Sequence, residues 1–110
     1  MRRIGQAALN AHFYNYKANA RKRGIVWGLD PEAFHAVVSL PCAYCGADPI
    51  PNNNHNMYKD SFLLNGIDRI DSARGYVVDN CAPCCKVCNR MKGTMSADDF
   101  RAHAKKITDF

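Results

Sequence analysis

The chain has 110 residues, with fifteen Lys and Arg against ten Asp and Glu and a formal net charge of +5. A chain this short buries a small core and calls for a structural metal or another cross-link, and its modest basic bias attracts polyanions. No apolar run approaches the ~18 residues that read as a membrane span, and no signal-peptide pattern follows Met1-Arg2-Arg3, so the expectation is one intracellular domain with no membrane partner.

In chain order, Leu9, Phe13, Tyr16 and Ala20 recur at helical spacing and predict a helix ending on Arg21-Lys22-Arg23 before Gly24. Ile25 to Leu29 reads as an apolar extended connection. Asp30-Pro31 then supplies an N-cap and a first-turn proline for a short helix burying Phe34, Val37 and Val38, stopped by Pro41. These elements make residues 1–40 a helical extension. The Pro/Asn-rich run from Pro49 to Asn56 predicts a flexible loop. Phe62 to Leu64 and Ile67 to Ile70 predict a strand region, Ser72 to Gly75 a turn, and Tyr76-Val77-Val78 the returning strand. Lys86 to Lys92 suits a short basic helix with Val87 and Met91 on its apolar side. Ser96-x-x-Asp99 is a capping box for a closing helix over 96–108 that carries Phe100, His103, Ala104 and Ile107. The fold class expected is small α+β.

Six cysteines form three C-x-x-C pairs, Cys42/Cys45, Cys81/Cys84 and Cys85/Cys88. In a reducing compartment such pairs favour metal over disulfides, and one Zn²⁺ takes four thiolates. The set Cys42, Cys45, Cys85 and Cys88 places the second knuckle at a strand-to-helix junction, where a turn points both sulfurs one way. A set using Cys84 is the rival. In the preferred set, Cys81 and Cys84 act as small buried hydrophobes.

The motifs Cys42-Ala-Tyr-Cys45-Gly46, Asn65-Gly-Ile-Asp-Arg-Ile-Asp71, Gly75-Tyr76, Asn80, Cys85-Lys-Val-Cys88-Asn89 and Lys92 resemble the zinc-containing HNH endonucleases (His-Me finger, ββα-metal) of phages and mobile elements. The resemblance covers residues 42–93. It implies a β-hairpin packed on a short helix, a structural zinc, and a Mg²⁺ or Mn²⁺ ion at the scissile phosphate. Carried over by position, the acid before the family's first histidine falls on Asp68, the middle asparagine on Asn80 and the last His/Asn on Asn89. Asp68 and Asn89 would hold the catalytic ion and Asn80 would fix the loop. Arg90 and Lys92 would neutralise phosphate charge.

The family's first histidine aligns with Arg69, whose guanidinium cannot accept a proton from water. Arg69 suits a phosphate clamp instead. The base then comes from elsewhere: Asp71, two residues on, or His55 or Tyr58 on the loop, unless a phosphate oxygen or metal-bound hydroxide serves. Arg69 and Arg74, with Arg21 and Arg23 at the end of the first helix, are the further candidate nucleic-acid contacts.

Each of these residues has a plainer reading: Asp68 as a turn cap or a partner of Arg74, Arg69 as a partner of Asp71 or Asp79, Asn80 as a turn residue, Asn89 as a helix cap, and His55 as an exposed histidine. His12, Tyr16 and Trp27 read as packing or surface residues. Two function classes follow. One is a metal-dependent endonuclease nicking DNA, with RNA not excluded, acting as a monomer or, for a double cut, as two copies. The other is a non-catalytic zinc module that binds nucleic acid; a carboxylate at Asp68 facing phosphate argues against it.

Overall fold

A computed structural model describes residues 6–51 and 63–110, so His55, Tyr58 and Phe62 lie outside the described residues. The elements are α1 (Gln6–Lys22), α2 (Pro31–Val38), β1 (Ile50–Pro51), β2 (Leu63–Leu64), β3 (Gly66–Arg69), β4 (Cys81–Cys84), α3 (Lys86–Lys92) and α4 (Ala97–Asp109), with a 3₁₀ turn at Val78–Asn80 before β4. The class is α+β, as expected.

Helix α1 buries Leu9, Phe13 and Ala20 along the predicted stripe. Its last turn carries Arg21 and Lys22, cations that suit the negative end of the helix dipole. Asp30 caps α2 by accepting the Ala33 N–H at 2.8 Å, with Pro31 in the first turn. Phe34 and Val38 of α2 are fully buried and join Phe13, Ile67 and Tyr76 in one aromatic-rich core. Phe13 and Phe34 meet edge-on at 5.4 Å, and Trp27 lies 5.3 Å from Tyr76.

β3 and β4 form an antiparallel pair, Gly66 opposite Cys84 through Arg69 opposite Cys81. β1 and β2 form a second, two-residue pair. The hairpin therefore differs from the one expected, in which Tyr76 to Val78 returned. Tyr76 instead bridges to Trp27, Val78 is 70% exposed at the start of the 3₁₀ turn, and Cys81–Cys84 is the returning strand. The cause is Asn80: its amide nitrogen donates to the Asp71 and Gly75 carbonyls and its oxygen accepts the Asp71 N–H, closing residues 71–75 into a compact loop before the chain re-enters the sheet.

α3 packs under β3 with the opposite face from that expected. Val87 and Met91 are 67% and 57% exposed, and Cys88 and Lys92 are buried. In α4 the Ser96 cap accepts the Asp99 N–H and Phe100 is buried, whereas His103 and Ile107 face solvent. Among the described residues no helix is long and apolar enough to cross a membrane.

Candidate metal centre and active-site groove

The first knuckle is a tight turn: Gly46 donates its N–H to the Cys42 carbonyl and Cys42 donates to Ala47. Gly46 sits at φ +78°, where a side chain would be strained. The Ala43 N–H donates to the Pro83 carbonyl of β4, which sets this turn against the second knuckle. There Cys85 caps α3, its sulfur accepting the Cys88 N–H at 3.4 Å. The sulfurs of Cys42, Cys45, Cys85 and Cys88 all lie within 4.8 Å of one another, with Cys45 and Cys85 at 3.6 Å. Zn–S bonds of about 2.3 Å in a tetrahedron put sulfurs about 3.8 Å apart. The four cysteines are therefore positioned to bind one metal ion, and an all-sulfur tetrahedral set suits zinc.

Protonation follows the same logic. Burial alone would raise the Cys42 thiol, but hydrogen bonds from the backbone around Cys85, Cys45 and Tyr44 bring it down to about 6. Burial and the hydrogen bonds of its neighbouring sulfurs push Cys88 up. Four sulfurs this close do not all ionise without a dication between them. Cys84 is fully buried, points its thiol at the Cys85 carbonyl, and is pushed up by burial and by Cys42. It packs with Cys42, Cys88 and Phe100 as a small hydrophobe, so the rival ligand set has no geometric support.

Beside this centre a groove of about 540 Å³ runs between α1 and the β3/α3 unit. His12, Asn15, Tyr16, Asn19 and Arg23 line one side; Gly66 to Arg69, Lys86 and Asn89 line the other. Two hydrogen bonds hold the walls together. The Tyr16 hydroxyl accepts the Ile67 N–H at 3.0 Å, and His12 Nε2 lies 3.0 Å from the Asn65 carbonyl oxygen. Gly66 makes this approach possible, because a Cβ there would come within 2.4 Å of the Tyr16 oxygen. Burial raises the Tyr16 hydroxyl from 10.0 to about 12, keeping it neutral.

Asp68 is 4% exposed and its carboxylate is engaged on both sides. Lys92 Nζ lies 3.0 Å from one oxygen, and the Tyr44 hydroxyl donates to the other at 2.5 Å. Burial, and then the Asp68 carboxylate, push Tyr44 up. Lys92 also donates to the Arg69 carbonyl at 3.1 Å and is 1% exposed. This corrects the expectation for Lys92. Its cation neutralises Asp68 inside the protein and is out of reach of an external phosphate. Tyr44, between two cysteines of the first knuckle, thus ties the metal centre to the strand of the groove.

Arg69 donates two N–H groups of one nitrogen to the Ser72 and Arg74 carbonyls, at 2.8 and 2.9 Å, and lies 5.5 Å over the Tyr76 ring. Three further N–H donors remain on the guanidinium. Asn89 directs its amide nitrogen toward the Ile67 carbonyl, 3.4 Å away. Asp68, Arg69 and Asn89 thus share one groove, whereas Asp71, Asn80, Arg21, Arg74 and Arg90 are not among its lining residues. Asp71 does not share the face of Arg69 because β3 ends at Arg69; its carboxylate accepts the Ala73 N–H in the turn. Arg74 pairs with Asp79 at 2.9 Å on the surface, and Arg21, Arg23 and Arg90 are exposed.

Sequence reasoning missed the α1 wall. His12, Tyr16, Asn15 and Asn19 recur at three- and four-residue spacing, a second helical stripe beside the apolar one, and only the packing of α1 on β3 shows that it faces the groove.

No family model matches the chain. The chain is 32% identical over 98 residues to the uncharacterized protein R423 of Acanthamoeba polyphaga mimivirus, an alignment covering 89% of this chain and 16% of that protein. The chain thus spans about one sixth of that relative's length. Among solved structures it is similar to the rare-cutting HNH restriction endonuclease PacI, with a TM-score of 0.67 and 24% identity over 92% of this chain and 77% of that one. The fold is HNH-like. At that identity the likeness is one of architecture, and within it the four-cysteine centre flanks a hairpin and helix arranged as the HNH resemblance implied.

Proposed function

We propose that this chain is a metal-dependent endonuclease domain that hydrolyses DNA phosphodiester bonds, nicking one strand per site. The observation that carries the proposal is Arg69. It is held by two backbone carbonyls and an aromatic ring, in the same groove as Asp68 and Asn89 and beside a zinc-type centre. A guanidinium fixed in advance stabilises the charge that builds on a phosphate during displacement without reorganising at that moment.

Asn89, through its amide oxygen, and Asp68, through a carboxylate oxygen it would share with Lys92 or Tyr44, are the residues that would hold a Mg²⁺ or Mn²⁺ ion. A hard dication bound by few protein oxygens suits phosphoryl chemistry, where it polarises the phosphate and lowers the pKa of water. Asn80 acts at a distance by shaping the 71–75 loop. His12 is committed to the Asn65 carbonyl, so the candidate proton acceptors are His55 and Tyr58, outside the described residues, unless a phosphate oxygen or metal-bound hydroxide serves. Arg23 at the groove, with Arg21, Arg74 and Arg90 around it, would meet the DNA backbone, and a monomer suffices for a nick.

The test is incubation of supercoiled plasmid with zinc-loaded protein, with and without added Mg²⁺ or Mn²⁺. Nicking that requires the added ion and falls roughly 100-fold or more in Arg69→Ala is the expected result. DNA binding without cutting under either ion contradicts it and favours the non-catalytic module. The neutralisation of Asp68 by Lys92, which removes an open carboxylate from the groove, is the observation on that module's side.

A further inference from the structure

The basic charge of this chain is not spread evenly. Residues 1–29 hold six Lys and Arg and no Asp or Glu, whereas residues 30–110 hold all ten acids against nine basic residues. Within the described part this excess sits on α1 and the turn after it, as Lys17, Arg21, Lys22 and Arg23. Helix α1 is also the wall of the groove opposite Arg69. His12, Asn15, Asn19 and Arg23 follow one another at three- and four-residue steps down the side that lines it. From His12 to Arg23 the chain rises roughly 16 Å, about five nucleotide steps along one strand of a duplex. The acids lining the groove are Asp48 and Asp68, and Asp68 is neutralised by Lys92. The wall is also tied down, since Tyr16 and His12 bond it to the backbone of Ile67 in β3 and of Asn65 between β2 and β3.

We propose that α1 seats one strand of the nucleic acid in this groove: Asn15 and Asn19 hydrogen-bond to base edges, and Arg23 neutralises a phosphate across from Arg69. Amide side chains present a donor and an acceptor side by side, the pattern that pairs with a base edge, and a guanidinium matches a phosphate in two-pronged fashion. Lys17 stays off this wall, its ammonium 5.9 Å over the Phe13 ring. The inference rests on the nuclease reading for what happens to the strand once seated, and on charge and geometry for the seating itself.

The experiment measures fluorescence anisotropy of labelled single-stranded DNA, duplex DNA and RNA of matched sequence, titrated with zinc-loaded full chain without added Mg²⁺ or Mn²⁺. The variants are Arg23→Ala, the double substitution Asn15→Ala with Asn19→Ala, and Lys106→Ala on α4 as a charge control away from the groove. Alanine is a stronger helix former than asparagine, so the double variant does not threaten α1; zinc content and circular dichroism check the fold. Arg23→Ala is expected to weaken binding about five- to tenfold and to reduce the slope of log affinity against log salt by about one. The asparagine pair weakens binding severalfold at unchanged salt slope, and Lys106→Ala stays within about twofold. Wild-type affinity in the α1 variants, an equal loss in Lys106→Ala, or no binding of any oligonucleotide overturns the inference. A parallel plasmid assay with Mg²⁺ separates the two readings. Cutting with unaffected α1 variants sinks the seating alone, and the expected binding losses without any cutting sink the nuclease alone.

Discussion

The two ends of this molecule are held by different forces. At one end α1 and α2 bury Phe13, Phe34, Trp27 and Tyr76 against Ile67, a core of interlocked aromatic edges that the hydrophobic effect supports by itself. At the other end the buried residues are Cys42, Cys84, Cys88 and Phe100, with Tyr44 and Met95 beside them, too little apolar surface to order two turns and a seven-residue helix. A metal ion held by Cys42, Cys45, Cys85 and Cys88 would supply that order. β3 belongs to both ends: Ile67 faces the aromatic core and Asp68, next along the strand, reaches Tyr44 and Lys92. The groove lies where the two supports meet, so each end can be loosened separately and the effect on the other observed.

The largest effect is expected at the cysteine end. Cys45→Ser or Cys88→Ser should abolish zinc binding and unfold the knuckles and α3, since structural zinc contributes on the order of 10 kcal/mol of apparent binding free energy at neutral pH. Phe34→Ala at the aromatic end should instead cost about 3–5 kcal/mol while leaving zinc stoichiometry at one. Zinc titration beside urea unfolding distinguishes the two, and equal zinc loss in both variants would dissolve the comparison.

Next in size is the tie across β3. Lys92→Met leaves the Asp68 carboxylate buried without its cation and should cost about 3–5 kcal/mol, with much of the loss recovered when Asp68→Asn is added. Urea midpoints of the two single variants and the double variant measure the coupling; simple additivity would contradict the pair's role.

The smallest effect concerns Tyr16. Its hydroxyl is raised from 10.0 to about 12 by burial, so the folded chain holds this proton more tightly than the unfolded one. The contribution is present in full below pH 10 and is lost as pH rises toward 12. Tyr16→Phe should flatten the alkaline decline in stability, at a cost of about 1 kcal/mol near neutrality for the Ile67 N–H left without its acceptor. Stability curves of the two proteins that run parallel above pH 10 would contradict this.

Local signals carried the sequence reading a long way, because caps and knuckles are short-range chemistry. Asp30-Pro31, Ser96-x-x-Asp99 and the two C-x-x-C pairs each act within four residues, and the elements they mark stand where expected. The returning strand was misplaced because Tyr76-Val77-Val78 has strand composition, yet Tyr76 is drawn to Trp27 and Asn80 closes the loop, both tertiary effects. The face of α3 was misjudged for a related reason. Val87 and Met91 are the apolar residues, but Cys88 is committed to the metal centre and Lys92 to Asp68, and one helix cannot bury both rows. The α1 wall was invisible because Asn15 and Asn19 gain meaning only opposite Arg69.

The measurement that tests the account most directly is the rate of plasmid nicking by zinc-loaded wild type and Asn89→Ala in Mg²⁺, with zinc content determined on the same samples. The account predicts nicking by the wild type and a fall of roughly 100-fold in Asn89→Ala at unchanged zinc. Equal rates in the two proteins, or a wild type that binds DNA and never cuts it, would contradict the assignment of this groove as an active site.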